Sequence, residues 1–268
     1  MKTRIISGLL MAPLLIIIVL GGWLLWAAAL AIGLVACNEF FKGFEAYGTK
    51  PSAAIGYTAI TVLFLTALAP EDIRTTVLIP LWFFLVVVSC MVYGFKVNER
   101  KLEDMTSTAL GIMYTGFLPF HIVLIDFSGY GAIIWLVFLA AFGTDIMAYF
   151  VGVTMGKHRL CPNLSPKKSI EGAIGGTLGS VILCAIFAYF VDPSHMVLCI
   201  AIGFFGSIVA QLGDLSASAF KRQMGIKDYG KLIPGHGGIL DRFDSVFFTG
   251  PMVYYVTLIY TTVFNITL

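Results

Sequence analysis

Long apolar runs are the feature that most constrains the fold of this chain. A helix needs about 20 apolar residues to cross the hydrocarbon core of a bilayer. Charged residues form only 12% of the sequence, against about a quarter in soluble domains, so the chain cannot cover itself with polar surface in water. The sequence therefore predicts an all-α, polytopic integral membrane protein with about nine transmembrane helices. The runs lie at residues 5–21, 23–37, 53–69, 77–95, 107–125, 131–153, 172–191, 195–216 and 245–266.

The first two runs are short and meet at Gly21 and Gly22, so one re-entrant unit is the alternative to two spans. The basic start followed by an apolar run also resembles a secretory signal, with "WAAALA" as a cleavage site. Because the chain continues through many further spans, we interpret this segment as a retained first span. Neither an internal repeat nor a long linker divides the sequence, which predicts one membrane domain over residues 1–268.

The positive charges predict which side of the membrane each loop faces. With nine spans, alternate loops place 16 of the 17 Lys and Arg residues on one side and only Arg74 on the other. By the positive-inside rule the crowded side is cytoplasmic, so we expect a cytoplasmic N-terminus. The two long loops, 154–171 and 217–244, lie on that side as well, which predicts a cytoplasmic-side active site. The net charge of +2 is too small to indicate a nucleic-acid partner.

Two acids in or beside apolar runs are candidates for function. Asp145 lies within a run and Asp214 near the end of one, and an ionised carboxylate in hydrocarbon is costly unless it is paired. The alternative is a helix-end acid that is hydrogen-bonded to a neighbouring helix. If the helix continues past Asp214, the side chains of Ser218, Lys221 and Arg222 share its face. That face would then combine an acid with two cations.

The start of the last span carries a second polar face, because Asp241, Asp244 and Ser245 are spaced i, i+3, i+4. Two acid-bearing helix ends joined by one loop can bring carboxylates together around a hard cation such as Mg²⁺. Lys and Arg beside such a metal indicate a polyphosphate substrate. The positive-inside rule alone would account for the basic residues, but not for the aspartates and glycines between them.

Both inner loops carry further candidates. In "PGHGG", His236 is a phosphate contact, a general acid or base, or a structural loop residue. In the loop 154–171, Ser165 followed by proline predicts a helix N-cap, which places Lys167 and Lys168 in the first helical turn. Cations are unfavourable there unless an anion is bound. Glu171 could hold one of the lysines or serve the metal.

The stretch "SASAFKRQMGIKDYGKLIPGHGGILDRFDS" resembles the signature of the phosphatidate cytidylyltransferases, or CDP-diacylglycerol synthases. Upstream, "SPKKSIEG" is similar to a second motif of that family. The resemblance is detailed over the C-terminal half, so we expect a catalytic half at 131–268 after less specific N-terminal spans at 1–125. Ala217 departs from the pattern, since many relatives carry a longer and often acidic residue there. The matching signature residues are Ser218, Lys221, Arg222, Lys227, Asp228, Pro234, His236, Gly237, Gly238, Asp241, Arg242 and Asp244.

The resemblance implies that CTP and phosphatidic acid react to CDP-diacylglycerol and pyrophosphate in the cell membrane. We expect Asp214 and Asp241 to be the main ligands of Mg²⁺, followed by Asp244 and then Asp145. Clustered carboxylates are also compatible with a monovalent cation such as K⁺ beside the Mg²⁺. The expected catalytic residues are Asp214, Asp241, Asp244, Lys221, Arg222 and His236. The expected substrate-binding residues are Ser165, Lys167, Lys168, Glu171, Ser218, Lys227, Asp228 and Arg242.

Two other functions are weighed against this one. A CTP-dependent polyprenol kinase would use similar charged inner loops but transfer the γ-phosphate, and the full signature argues against it. An ion-coupled transporter would use Asp145 and Asp214 as a relay, yet transporters tend to show paired half-repeats and broken helices near the midplane. The expected partners are CTP, phosphatidic acid and the lipid bilayer, and the sequence leaves open whether the chain forms a homodimer.

Overall fold

The computed structural model describes residues 12–129, 131–233, 235 and 237–266, with side chains from Ile16 onward. Nine helices run through these residues in the order of the nine apolar runs. They are α1 (Ala12–Leu20), α2 (Gly22–Tyr47), α3 (Ala53–Thr66), α4 (Glu71–Tyr93), α5 (Leu102–Phe127), α6 (Ile134–Met155), α7 (Ile170–Val191), α8 (Met196–Gln223) and α9 (Leu240–Phe264). Single π-helical turns lie inside α4 at Arg74–Leu78 and inside α5 at Met113–Phe117.

Helices dominate the structure and confirm the expected fold class. The chain is 79% helical, and seven helices in the described ranges are long and apolar enough to cross a membrane. α3 is apolar but has only 14 residues, and α1 is described over nine. Each of the nine predicted runs therefore overlaps a described helix, although α3 is short for a span and residues 5–11 of the first run lie outside the described residues.

α2 is much longer than the apolar run that predicted it. A turn at Gly21, with φ of 58°, separates it from α1, and the helix then continues to Tyr47, where Gly48 ends it in the left-handed conformation. The apolar run at 23–37 therefore lies within this helix and covers only part of it. Glu39, which lies beyond that run, is buried, and a helix need not be apolar where protein rather than lipid surrounds it.

The chain groups into two compact units. Unit 1 combines the described residues of Met1–Phe127 with Lys221–Arg242, and unit 2 combines Ser128–Phe220 with the described residues of Phe243–Leu268. The grouping cuts across the halves 1–125 and 131–268. It assigns the charged loop between α8 and α9 to the unit of the N-terminal helices.

The core of unit 1 is built from aromatic side chains. Phe40, Phe64 and Phe120 are fully buried. The ring of Phe40 lies 5.4 Å from that of Tyr114 and 6.0 Å from that of Tyr229, measured between ring centres. Because Tyr229 belongs to the charged loop, the loop is anchored in the aromatic core of its unit.

In unit 2, glycines allow α6 and α7 to approach closely. A Cβ atom on Gly176 would lie 2.9 Å from the Cβ of Ala148, and one on Gly172 would lie 3.2 Å from the Cα of Gly152. Small residues at such spacing are typical of tightly packed membrane helices. The packing fixes the end of α6 beside the start of α7, from which the connecting segment projects.

That connecting segment is a two-stranded antiparallel hairpin. Its strands are β1 (Arg159–Cys161) and β2 (Ser165–Ser169). The prediction that Ser165 caps a helix is wrong, because α7 begins only at Ile170 and Ser169 is its cap. The hydroxyl oxygen of Ser169 accepts the N–H of Gly172 at 3.1 Å. Strand pairing occupies the backbone of residues 165–169, and Ser169 offers the same capping chemistry four residues later.

The corrected boundary changes the position of the two lysines. Lys167 and Lys168 lie on β2, before the helix, rather than in its first turn. The acid in the first turn of α7 is Glu171, which is favourable near the positive end of the helix dipole. The conflict between cations and helix dipole that the sequence indicated is therefore absent from this part of the structure.

Candidate active site

In unit 1, Lys221 and Asp241 form a buried ion pair. Lys221 lies in the last turn of α8 and Asp241 in the first turn of α9. The Lys221 Nζ lies 2.8 Å from the Asp241 Oδ1, and the aspartate side chain is only 3% exposed. The ammonium also lies 5.3 Å from the centre of the Tyr229 ring. The structure therefore brings together two predicted catalytic residues from the two ends of the charged loop.

The second carboxylate oxygen of Asp241 holds the backbone of that loop. Oδ2 accepts the N–H of Tyr229 at 2.8 Å and the N–H of Gly238 at 2.9 Å. Gly237 has φ of 90°, and a Cβ there would lie 2.8 Å from the same oxygen, so the turn can approach the carboxylate only as glycine. Three of the roughly four acceptor positions of this carboxylate are occupied, so a metal ion could bind through Oδ1, beside Lys221 or in its place.

A second buried acid, Glu39 of α2, contacts the same loop. Its Oε1 accepts the N–H of Ile239 at 3.1 Å, and its Oε2 accepts the N–H of Leu240 at 2.9 Å. Sequence reasoning missed this residue because the predicted span stopped at Cys37. The signal was nevertheless present, since Glu39 directly follows the apolar run in "GLVACNEFF" and an acid at that depth needs a partner.

The other predicted residues of this loop that the structure describes are more exposed than Asp241. Arg222, Lys227 and Asp228 are exposed, and Arg242 is partly buried. His236 lies outside the described residues. Its role as a phosphate contact or general acid and base therefore stays a prediction.

In unit 2, a cleft of about 520 Å³ lies between α6, the hairpin and α7. Its volume falls within the range of small-molecule sites, about 300–1,000 Å³. Glycines and apolar residues form about half of the described wall. The charged and amide side chains that line it are Asp145, Arg159, Lys167, Lys168 and Gln211, and Tyr149 and Ser169 line it as well. Three cations against one carboxylate among these residues make the cleft suited to an anionic ligand.

Asp214 of α8 forms an ion pair with Lys168 of β2. Each of the two side chains is 29% exposed, so the pair is accessible from water. One turn earlier on α8, the side-chain amide of Gln211 donates to the carbonyl of Ala173 at 3.3 Å and to the hydroxyl of Thr177 at 3.1 Å. These bonds fix α8 against α7, and two predicted site residues from different loops are adjacent as a result.

Two other acids of unit 2, Asp145 and Asp244, accept hydrogen bonds from Ser245. The Ser245 hydroxyl donates to the Asp145 Oδ2 at 3.5 Å, and its backbone N–H donates to the Asp244 Oδ1 at 2.8 Å. Gly213, which precedes Asp214, packs against this corner, because a Cβ there would lie 2.7 Å from the carbonyl oxygen of Asp244. α6, α8 and α9 thus each bring one predicted metal ligand to the same region of unit 2.

Glu171 serves the hairpin rather than either lysine. Its Oε2 accepts the N–H of Lys157 at 3.1 Å and the N–H of His158 at 3.2 Å. The imidazole Nδ1 of His158 lies 2.6 Å from its other oxygen. The first turn of α7 is thereby tied to the start of the hairpin, which holds Lys167 and Lys168 on the opposite strand. Ser165 and Ser218 are both half-buried.

The acids of unit 2 form a donor set that fits Mg²⁺. Among the described residues, no group of three His, Cys, Asp or Glu side chains is arranged to hold a metal by itself. Mg²⁺ does not require such a cage, since it usually keeps several waters and is bound by one or two carboxylates and by substrate phosphates. Asp214 beside a cation-lined cleft, with Asp244 and Asp145 on neighbouring helices, meets that description.

Comparison with known proteins finds relatives that match nearly the whole chain. A family model described as the cytidylyltransferase family matches residues 2–260. A phosphatidate cytidylyltransferase from Synechocystis sp. is 32% identical over 292 residues, and the alignment covers 98% of each chain. Proteins of the same name from Staphylococcus haemolyticus and Staphylococcus aureus are 34% and 33% identical, over 94% of this chain and 95% and 97% of theirs.

Proposed function

Because this chain belongs to the cytidylyltransferase family, we propose that it transfers the cytidylyl group of CTP to phosphatidic acid. The products are CDP-diacylglycerol and pyrophosphate. The observation that carries the proposal is the cleft of unit 2, in which Arg159, Lys167 and Lys168 face one carboxylate. Relatives of similar length that are named phosphatidate cytidylyltransferase support the choice of substrates.

The reaction suits a site that is rich in cations and poor in bases. A phosphate oxygen of phosphatidic acid attacks the α-phosphorus of CTP, a new P–O–P bond forms, and the bond to the β-phosphate breaks as pyrophosphate leaves. A phosphate monoester is largely ionised at neutral pH, so the attacking oxygen needs no strong general base. The two polyanions repel each other, and the lysines and arginine of the cleft offset that repulsion and orient the phosphates.

We further propose Mg²⁺ as the cofactor, with Asp214 and Asp244 as ligands and Asp145 beside them. When bound, the ion would neutralise charge on the phosphates and on the leaving pyrophosphate. Asp241 remains a candidate ligand through Oδ1, the oxygen that accepts only the Lys221 donor among its described hydrogen bonds. K⁺ as a second cation near these carboxylates also stays a proposal.

The apolar helices make this a multi-pass membrane protein, and we propose that it lies in the cell membrane with its N-terminus and active site in the cytoplasm. Support comes from the distribution of Lys and Arg, 16 of 17 of which fall on one side when the nine runs alternate. Cysteine accessibility in intact cells, with single cysteines placed at positions 227 and 72, tests the orientation. Light scattering of the purified protein in detergent tests whether it forms a homodimer.

The decisive experiment uses purified full-length protein in detergent with phosphatidic acid, Mg²⁺ and CTP labelled at the α-phosphate. We expect label to enter the lipid phase, pyrophosphate to appear in equal amount, and EDTA to stop both. Label in lipid only from γ-labelled CTP, with CDP as the product, would show a kinase and refute the proposal. Activity that persists in EDTA would refute the metal assignment alone.

A further inference from the structure

Glu39 of α2 is a buried acid that neither the signature nor the proposed reaction uses. Its side chain is buried inside unit 1, and its two oxygens accept the backbone N–H groups of Ile239 and Leu240 at 3.1 and 2.9 Å. About 200 residues of sequence separate donor and acceptor. An acid in a membrane helix is costly unless paired, and here the pairing is with backbone rather than with a cation.

Two glycines of the loop, which have no side chain, allow the Glu39 carboxylate to pack against the loop backbone. A Cβ on either Gly230 or Gly238 would overlap the Glu39 carboxylate. Neither glycine has a positive φ, so the backbone conformation at these positions would accept alanine. The nearest obstacle to a side chain at both positions is the carboxylate, and at Gly230 the Cα of Gly238 follows at 3.1 Å.

Glu39 and Asp241 divide the donors at the start of α9 between them. Three consecutive N–H groups point to acids: that of Gly238 to Asp241, and those of Ile239 and Leu240 to Glu39. The first N–H groups of a helix have no partner within it, and negative charge is favourable there. Glu39 therefore fixes the residues that immediately precede Asp241.

We infer that Glu39 is a positioning residue for cytidylyl transfer, which holds residues 238–240 and, through them, Asp241 and its lysine partner. The inference rests on the proposed function, since it assigns a role in that reaction. The loop that Glu39 anchors carries exposed Lys227 and Lys231, which can meet a water-soluble substrate. CTP is the soluble substrate of the reaction, so a displaced loop should weaken the use of CTP more than that of the lipid.

The first test compares Glu39→Gln with Glu45→Gln, an exposed glutamate on the same helix. A glutamine can accept only one of the two backbone N–H groups in the same geometry and presents an amide donor to the other. We expect kcat/KM for CTP to fall about 10-fold or more, the loss typical of one hydrogen bond to a charged group, with a higher KM for CTP and an unchanged KM for phosphatidic acid. Glu45→Gln should match the wild type.

A purely structural role would give a different pattern. Loss of folded protein lowers the apparent kcat and leaves both KM values unchanged, and that result would overturn the inference. Limited trypsin digestion supplies a readout that needs no activity, because Lys227 and Lys231 are exposed in the loop. We expect faster cleavage there in Glu39→Gln than in Glu45→Gln, and equal rates would overturn the inference. If the wild type itself transfers no cytidylyl group, the proposed function fails, while the trypsin comparison still tests the anchoring.

A double-mutant cycle decides the case if Glu39→Gln cannot be purified. Gly230→Ala should impair transfer because its methyl group overlaps the carboxylate of Glu39. Glu39→Asp shortens the side chain by one methylene and makes room for that methyl group. We expect Gly230→Ala to cost less in the Glu39→Asp background than in the wild type, since the overlap with the carboxylate is gone and only the 3.1 Å approach to the Cα of Gly238 remains. Losses that simply multiply would show that the two residues act independently and would refute the contact on which the inference depends.

Discussion

Replacing Asp241 by asparagine should destabilise unit 1 even before any effect on chemistry. The carboxylate accepts three hydrogen bonds, from Lys221, Tyr229 and Gly238. An asparagine carbonyl can retain the two backbone donors, but its NH₂ group then faces the ammonium of Lys221, whose side chain is 14% exposed. Removing one partner of a buried ion pair costs about 3–5 kcal/mol. We take the lower end, about 3 kcal/mol, because the long lysine stem can move its charge toward water.

The assay is thermal unfolding in detergent, followed by tryptophan fluorescence. A loss of about 3 kcal/mol corresponds to a Tm lower by roughly 6–12 °C in a chain of this size. Asp228→Asn is the matched control, since Asp228 is an exposed acid in the same loop, and it should stay within about 0.5 kcal/mol of wild type. Lys221→Met combined with Asp241→Asn should recover part of the loss, because it removes the unpaired cation.

Two results would refute this reasoning. An Asp241→Asn Tm equal to that of Asp228→Asn would mean that the carboxylate does not hold the loop. A wild-type Tm that rises with Mg²⁺, together with an Asp241→Asn Tm that does not, would mean that the carboxylate binds the metal instead. The second result would restore Asp241 as a primary metal ligand.

Three further predictions concern unit 2. Lys168→Met should lower kcat/KM for cytidylyl transfer at least about 10-fold, because it removes a cation of the cleft and the charged partner of Asp214. Unchanged kinetics would show that Lys168 is not part of the site. Ser169→Ala should lower stability by about 1 kcal/mol through loss of the α7 cap, measured as a Tm shift in detergent. The pKa of Asp192 lies below its usual range, mainly because the hydroxyl of Ser194 donates a hydrogen bond to the carboxylate. Ionised Asp192 therefore stabilises the folded state above a pH of about 4, and this stabilisation is lost as the pH falls through the pKa of the folded state. Asp192→Asn should therefore flatten the acid side of the Tm–pH curve, and an unchanged curve would contradict the shift.

The sequence predicted those features of the fold that depend on composition along the chain. Apolar runs of sufficient length must become helices in lipid, and each predicted run does overlap a described helix. The end of α2 could not be predicted in the same way, because Glu39 is tolerated by donors that lie about 200 positions away. Ser165 and Ser169 are equally good caps by residue type, and only the pairing of β1 with β2 selects the second.

The candidate site was predictable where charged side chains meet each other. Lys168 with Asp214, and Lys221 with Asp241, each join two residues that the sequence had already indicated as site candidates. Contacts between an acid and backbone N–H groups leave no complementary residue to search for. Glu39 was missed for that reason.

Several acids of this chain fix the backbone of its loops by accepting hydrogen bonds from N–H groups. Of the 15 Asp and Glu residues, four each accept two backbone N–H groups from loops or helix starts. These four are Glu39, Asp104, Glu171 and Asp241. Loops and helix starts carry backbone donors that have no partner within a helix, and an unsatisfied buried N–H is costly.

The two roles of an acid, anchoring a loop and binding a metal, predict different responses to Mg²⁺. Loss of activity on removing a loop-anchoring acid arises from misplaced backbone, and added Mg²⁺ cannot reverse it. Loss on removing a metal ligand raises the Mg²⁺ concentration needed for half-maximal rate. Asp214→Asn and Asp241→Asn therefore separate the roles. We expect a shifted Mg²⁺ requirement for the first and an unshifted one for the second, and the reverse order would exchange the two assignments.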